Sequence, residues 1–180
     1  MSAFPYVDLG SKEFDEISKH ITNSWPKACI MFIQRIPDPP MKEGYDALKK
    51  KMEDNLIHPD EQILLHGTNE DSAYTIAMDG YNPRMNKTSA YGLGTYFSPL
   101  ASVSWNYMPV KKHVSGFELS YMLVNKVLVG RKIIGMANKP IDLSKGDTQV
   151  NTLEKTSIYS IPRAEQAIPI YIIGFHKNAL

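Results

Sequence analysis

Hydrophobic and polar positions along this chain change rhythm near its middle. In the first half, apolar residues fall at helical spacing. Phe14, Ile17 and Ile21 predict an amphipathic helix over residues 11–21. Tyr45, Leu48 and Met52 predict a second over residues 41–54, with a charged outer face. Between them, the β-branched and apolar run 27–36 reads as a strand, ended by Pro37, Pro39 and Pro40. A further strand, 62–65, runs into His66-Gly67-Thr68. Asn69 can cap a helix over 70–79, which Gly80 would stop. Residues 82–90 are polar without period and read as a loop. Residues 94–97 form a short strand. Ser98-Pro99 has the form of an N-cap followed by a proline at the first helical position, opening a helix that carries Ser102, Ser104 and Tyr107.

The second half is strand-like over 117–129, 132–135, 157–161 and 168–175, and 137–155 is a long polar connection. Helices early and strands late, without regular βαβ alternation, predict an α+β domain built around antiparallel sheet. A Rossmann fold is disfavoured, because no G-x-G-x-x-G follows a strand and opens a helix.

Composition narrows the classes. A chain of 180 residues, 43% apolar and 22% charged, suffices for one domain with its own core. Lys plus Arg number 20 against 19 acids, which lacks the basic excess that phosphate neutralisation demands of a nucleic-acid binder. The runs Lys49-Lys50-Lys51 and Lys111-Lys112 read as solvated helix and loop faces. Cys29 is the single cysteine. It excludes an internal disulfide and a Cys-based metal site, and its alternating apolar surroundings read as core. No signal-peptide pattern opens the chain and no apolar run is long enough to span a bilayer. These features point to a reducing, intracellular setting, cytoplasmic or nuclear. Met1 followed by a small residue reads as a natural start.

The candidate chemistry lies in separated pieces. Each is weak alone: His66 at a strand end, Gly92 and Gly94 in a G-x-G, Tyr96 and Tyr107 as aromatics that could be core or rim. Together they suit a flat aromatic amide. Such a ligand takes stacking partners on its faces, here Tyr96 and Tyr107, and a donor and acceptor at its carboxamide. Gly67 can offer both from its backbone, with no Cβ to block the approach. Ser104, three residues before Tyr107, can add a hydrogen bond, and His66 projects opposite to Gly67, towards a ribose hydroxyl.

Leu-Leu-His-Gly-Thr (64–68), Tyr-Gly-Leu-Gly-Thr-Tyr-Phe-Ser (91–98) and Ala-Ser-Val-Ser-Trp-Asn-Tyr (101–107) resemble the catalytic domain of the poly(ADP-ribose) polymerase family. The stretch 157–173 looks like that family's last two strands, with Gln166 and Pro169 in their usual places. Upstream, 32–41 followed by Tyr45 is similar to the mono-transferring branch. The resemblance covers roughly 27–177. It implies an ADP-ribosyltransferase-like fold with a split, mainly antiparallel sheet flanked by helices. Residues 27–180 would form the catalytic domain, and 1–26 an extension whose short helix packs on it. It further implies NAD as co-substrate without a metal, and a protein acceptor, the chain itself included. His66, Gly67, Thr68, Tyr91, Gly94, Tyr96, Phe97, Ser104 and Tyr107 would bind NAD, with 82–90 covering it and 137–155 holding the acceptor-side loop. The family's usual Tyr-Asp-Ser stretch is not recognisable in that last segment.

One departure bears on the product. Polymerising members carry a glutamate eight residues before the glutamine of the last motif, and that position here is Ile158. Glu165 lies about 20 Å away on an extended strand, at about 3.3 Å per residue. Glu154 substitutes only if the alignment slips. By resemblance His66, Tyr96 and Ile158 occupy the catalytic positions, and the expected activity is transfer of a single ADP-ribose by a substrate-assisted route. An NAD- or ADP-ribose-binding module without catalysis, and an NAD glycohydrolase, are the alternatives.

Overall fold

The computed structural model describes residues 4–86, 89–109, 111–112 and 118–176. Its elements run α1 (Lys12–Thr22), β1 (Ile30–Arg35), α2 (Lys42–Asp54), β2 (Glu61–Thr68), α3 (Glu70–Asp79), β3 (Thr95–Phe97), α4 (Ala101–Ser104), β4 (Lys111–Lys112), β5 (Glu118–Leu128), β6 (Lys132–Ile134), β7 (Thr148–Val150), β8 (Tyr159–Ile161) and β9 (Ala167–His176). The larger sheet has the order β1-β9-β5-β2, with β4 also on β5; the smaller has β3-β8-β7-β6. Among the described residues, β6 and β7 form the one parallel pair. The sheets meet where Leu65 and Ser98 exchange backbone hydrogen bonds of 2.7 and 2.9 Å. This is the α+β architecture, a split and mainly antiparallel sheet flanked by helices.

β5 shows why the pattern folds this way. Its near-continuous apolar run is covered on both faces. Leu119, Tyr121 and Leu123 join one core with Leu64, Ile172 and the α3 residues Ala73 and Ala77. Met122 and Val124 join another with Leu65, Ile173, Phe175 and the α1 residues Ile17 and Ile21. A third cluster seats Tyr45 and Met52 of α2 on Leu128 and Ile168. α1 is further tied to the sheet by Glu13, which pairs with the Arg35 guanidinium and accepts from the Tyr171 hydroxyl at 2.8 Å.

Helix signals read from the sequence hold at three places. Ser11 accepts from Phe14 N–H, Asn69 accepts from Ser72 N–H, and Gly80 ends α3 at φ +83°. Other expectations need correction. Ser98 is not an N-cap: α4 begins at Ala101 after Leu100 and passes into a 3-10 turn, Trp105–Tyr107. Ser98 instead pairs with Leu65, and its Oγ accepts from Leu100 N–H. β7 interrupts the supposed polar connection 137–155, and its residues are buried despite their polarity. Lys111–Lys112 is a strand pairing with β5, not a loop. Cys29 is exposed, because β1 starts only at Ile30 and is an edge strand.

Candidate active site

A cavity of about 680 Å³ opens where β2 diverges from β3. It is walled by the end of β2, by α3, by the segment 80–97, by α4 and its 3-10 turn, and by Ile158. His66, Gly67, Thr68, Tyr91, Gly94, Tyr96, Phe97, Ser104 and Tyr107 all line it. Five separated stretches of chain thus converge on one concave surface.

On the β2 wall, Leu65 directs its N–H and C=O away from β5, to Ser98. Backbone direction alternates along an antiparallel strand, so Gly67, two residues on, turns its N–H and C=O to the same side. A Cβ on Gly67 would stand 2.0 Å from the Ser104 carbonyl oxygen and 2.8 Å from Met108 Cγ. Only glycine permits the α4 turn to approach this closely. Ser104 is buried, and its hydroxyl donates to Leu65 O at 3.2 Å. To donate to a ligand, that hydroxyl must first turn away from Leu65.

His66 Nδ1 lies 2.7 Å from Tyr96 O. A carbonyl can only accept, so Nδ1 carries the proton and Nε2 of the neutral ring is an acceptor. Burial pushes the imidazole below its ordinary value, opposed by the bond to Tyr96 O, which keeps that neutral form. The ring packs edge-on to Tyr81, centroids 5.3 Å apart, and against Phe97 at 5.5 Å. Tyr81 donates its hydroxyl to Asn125 Oδ1 at 2.6 Å, and Asn125 Nδ2 donates to Leu64 O and Leu123 O at 3.1 Å. Burial drives the Tyr81 phenol far above its ordinary range, so it remains a donor. Asn125 sits at a register shift between β5 and β9, opposite Pro169, which has no N–H to give. A buried, fully used amide at this irregularity fixes the floor beneath His66.

The opposite wall is held by side chains. Tyr96 O–H donates to Gly92 O at 2.9 Å and accepts from Tyr91 N–H at 2.8 Å. Ser160, paired with Tyr96 across β3 and β8, also donates to Gly92 O, at 3.0 Å. Gly92 itself adopts φ +98°, with the Gln149 side chain against its Cα. Gly94 packs on the Ile161 backbone and the Ser160 hydroxyl. Tyr107 stands at the mouth, 57% exposed.

Ile158 lines the cavity just before β8. Asn151 clamps its backbone, accepting from Ile158 N–H at 3.1 Å and donating to Ile158 O at 3.3 Å. Neither nearby acid reaches this place. Glu154 is exposed and does not line the cavity, and Glu165 lies against Gly44 of α2. From the supposed covering loop, Asn82, Met85, Asn86, Ser89 and Ala90 line the cavity, Met85 from the 3-10 turn Pro83–Met85. Lys87 and Thr88 lie outside the described residues.

The α3 wall, with Asp71, Ser72, Thr75 and Ile76, was not anticipated from the sequence, nor was Tyr81. Asp71 is the one carboxylate among the described lining residues. Ser72 and Thr75, polar and three apart among small apolar residues, were the available signal.

The family described as poly(ADP-ribose) polymerase catalytic domain matches residues 11–168. The chain belongs to this family. It is 28% identical over 190 residues to the mouse protein mono-ADP-ribosyltransferase PARP10, covering 97% of this chain and 19% of that protein. It is 27% identical to human protein mono-ADP-ribosyltransferase PARP14, covering 92% of this chain and 10% of the relative. With mouse protein mono-ADP-ribosyltransferase PARP11 the identity is 25%, over 91% and 57%. The chain therefore spans between a tenth and rather more than half the length of these relatives.

Proposed function

We propose that this chain is a mono-ADP-ribosyltransferase, moving one ADP-ribose from NAD to a protein acceptor and releasing nicotinamide. The observation that carries this reading is the convergence of His66, Gly67, Tyr96, Ser104 and Tyr107 on one cavity that the apolar Ile158 also lines.

In this reading the nicotinamide carboxamide bonds the N–H and C=O of Gly67. Ser104 adds a contact once its hydroxyl turns from Leu65, and the ring lies between Tyr96 and Tyr107. His66 Nε2 accepts from a ribose hydroxyl. The cavity suits such a ligand: a glycine that lets the α4 turn bring Ser104 against β2, and a neutral imidazole whose Nε2 is an acceptor. Cleavage of the ribose–nicotinamide bond develops oxocarbenium character, and hydroxyl contacts strengthen as that charge grows. Nicotinamide leaves neutral, so positioning supplies much of the rate without an enzyme acid.

Ile158 bears on the acceptor step. A carboxylate there would accept from a ribose hydroxyl and act as base for a hydroxyl nucleophile, which chain extension requires. An acceptor that is already anionic, such as a protein Asp or Glu, attacks the anomeric carbon unaided. The ester so formed leaves no free carboxylate, and the reaction ends after one unit.

The test is release of nicotinamide from NAD measured beside covalent label on protein, with and without neutral hydroxylamine. Label in step with nicotinamide, removed by hydroxylamine, supports transfer to carboxylates. Nicotinamide without label would mean hydrolysis, and neither signal would mean a binding module.

A further inference from the structure

A second hollow of about 590 Å³ lies on another part of the molecule, between α2 and the turn that leads into β7. Leu48, Met52 and Ile57 give it apolar surface, and Lys51, Arg131 and Arg163 give it cations. Its carboxylates are Asp147 and Glu165.

The two arginines are served unequally. Arg131 Nε donates to Asp147 Oδ2 at 2.9 Å, and its other nitrogens donate to the Ser144 and Leu143 carbonyls at 3.3 and 3.2 Å. Arg163 stands 3.9 Å from Asp147 Oδ1, an ionic approach too long for a hydrogen bond. Its side chain is only 29% exposed, and it makes no hydrogen bond to a described residue. Glu165 forms no ion pair with Lys51 or Arg163 among the described residues. With part of its side chain open to solvent and no acceptor within hydrogen-bond distance among the described residues, this guanidinium keeps donors that an incoming anion can take. Its planar fork suits the two oxygens of a carboxylate or phosphate.

We infer that this hollow binds a small organic oxyanion: a carboxylate or phosphate head on an apolar body. The head takes the fork of Arg163, with Lys51 of α2 adding a second charge. The body lies on Leu48, Met52 and Ile57. The volume falls in the range of about 300–1,000 Å³ that small-molecule sites occupy, and neither Arg163 nor Lys51 belongs to the first cavity.

The experiment is titration of the folded chain with phenyl phosphate, followed by NMR at the arginine Nε–H and methionine methyl signals. Saturable shifts at Arg163 and Met52 are expected, with affinity falling about tenfold in Arg163→Gln, the loss of one charge-assisted contact. Lys51→Gln, an exposed change that leaves the fold intact, should weaken binding in the same direction. Unsaturable shifts, shifts confined to the first cavity, or unchanged affinity in both variants would overturn the site. Inorganic phosphate binding as tightly as phenyl phosphate would overturn the assignment of an apolar body.

Discussion

The two sheets that meet at Leu65 and Ser98 are stabilised differently. The larger has β5 and β9, of 11 and 10 residues, buried in apolar clusters on both faces. The smaller has four strands of three residues each, with Thr148, Gln149 and Ser160 buried among them. All three bond to backbone: Thr148 Oγ1 donates to Val129 O at 2.6 Å, Ser160 Oγ to Gly92 O at 3.0 Å, and Gln149 Nε2 to Lys139 O at 3.5 Å. The larger sheet is covered by apolar clusters on both faces; the smaller shares one of them through Phe97, Val150, Tyr159 and Ile161 and adds buried side-chain hydrogen bonds to backbone. The larger supplies His66 and the Gly67 backbone; the smaller supplies Tyr96 and the neighbourhood of Ile158.

The contrast can be broken from either side. Gly67→Ala should have the largest effect, since its Cβ meets the Ser104 carbonyl at 2.0 Å. Overpacking of this kind costs roughly 1–3 kcal/mol or more, read by chemical denaturation, with NAD turnover lost besides. Next comes Tyr81→Phe, which keeps the ring against His66 but orphans Asn125 Oδ1. About 1–3 kcal/mol of stability should go. If Tyr81 positions His66, kcat should fall more than KM rises, and a loss of stability alone would refute that role. On the smaller sheet, Ser160→Ala removes one bond to Gly92 O and leaves Tyr96 O–H on the same acceptor. It should cost about 1 kcal/mol and act mainly on KM for NAD, by loosening the 91–94 wall.

The smallest effect is that of pH. Burial holds His66 and His20 below the ordinary imidazole value of 6.5. As pH falls beneath 6.5, the unfolded chain takes up protons that the folded chain resists. Stability is therefore complete above that value and declines below it. His20→Gln should flatten the decline without touching the cavity. An identical slope in that variant would remove His20 from the account.

The same division explains what could be read from the sequence. Strands and helices bounded by apolar runs, apolar periodicity or cap residues, such as α1, α3, β5 and β9, were legible because burial follows the apolar positions, on one face of the helices and on both faces of the strands. β7 was not, because Thr148 and Gln149 are polar yet buried, held by tertiary surroundings that no local pattern announces. Ser98-Pro99 misled for a related reason: a capping sequence was taken up by a sheet bridge to Leu65, 33 positions back by the numbering. The site motifs were legible as short segments, and each of the residues assigned to NAD lines the cavity. The Tyr81–Asn125 pair, 44 residues apart, and the α3 wall depend on tertiary contacts alone. Ile158 could be located only by counting back from Gln166, whose buried amide donates to Leu128 O and Asp147 O.

The central claim is a single transfer directed by His66 in a site where Ile158 stands in place of a carboxylate. The most direct measurement is incubation of the purified chain with labelled NAD, resolved by gel beside His66→Ala and Ile158→Glu. The account predicts one discrete label on the unsubstituted chain or its acceptor, absent or at least tenfold reduced in His66→Ala, where ribose contacts worth about 1–3 kcal/mol are gone. It predicts no polymer from Ile158→Glu, since the acceptor side must also accommodate ADP-ribose. A ladder of products from the unsubstituted chain, or undiminished label in His66→Ala, would contradict it.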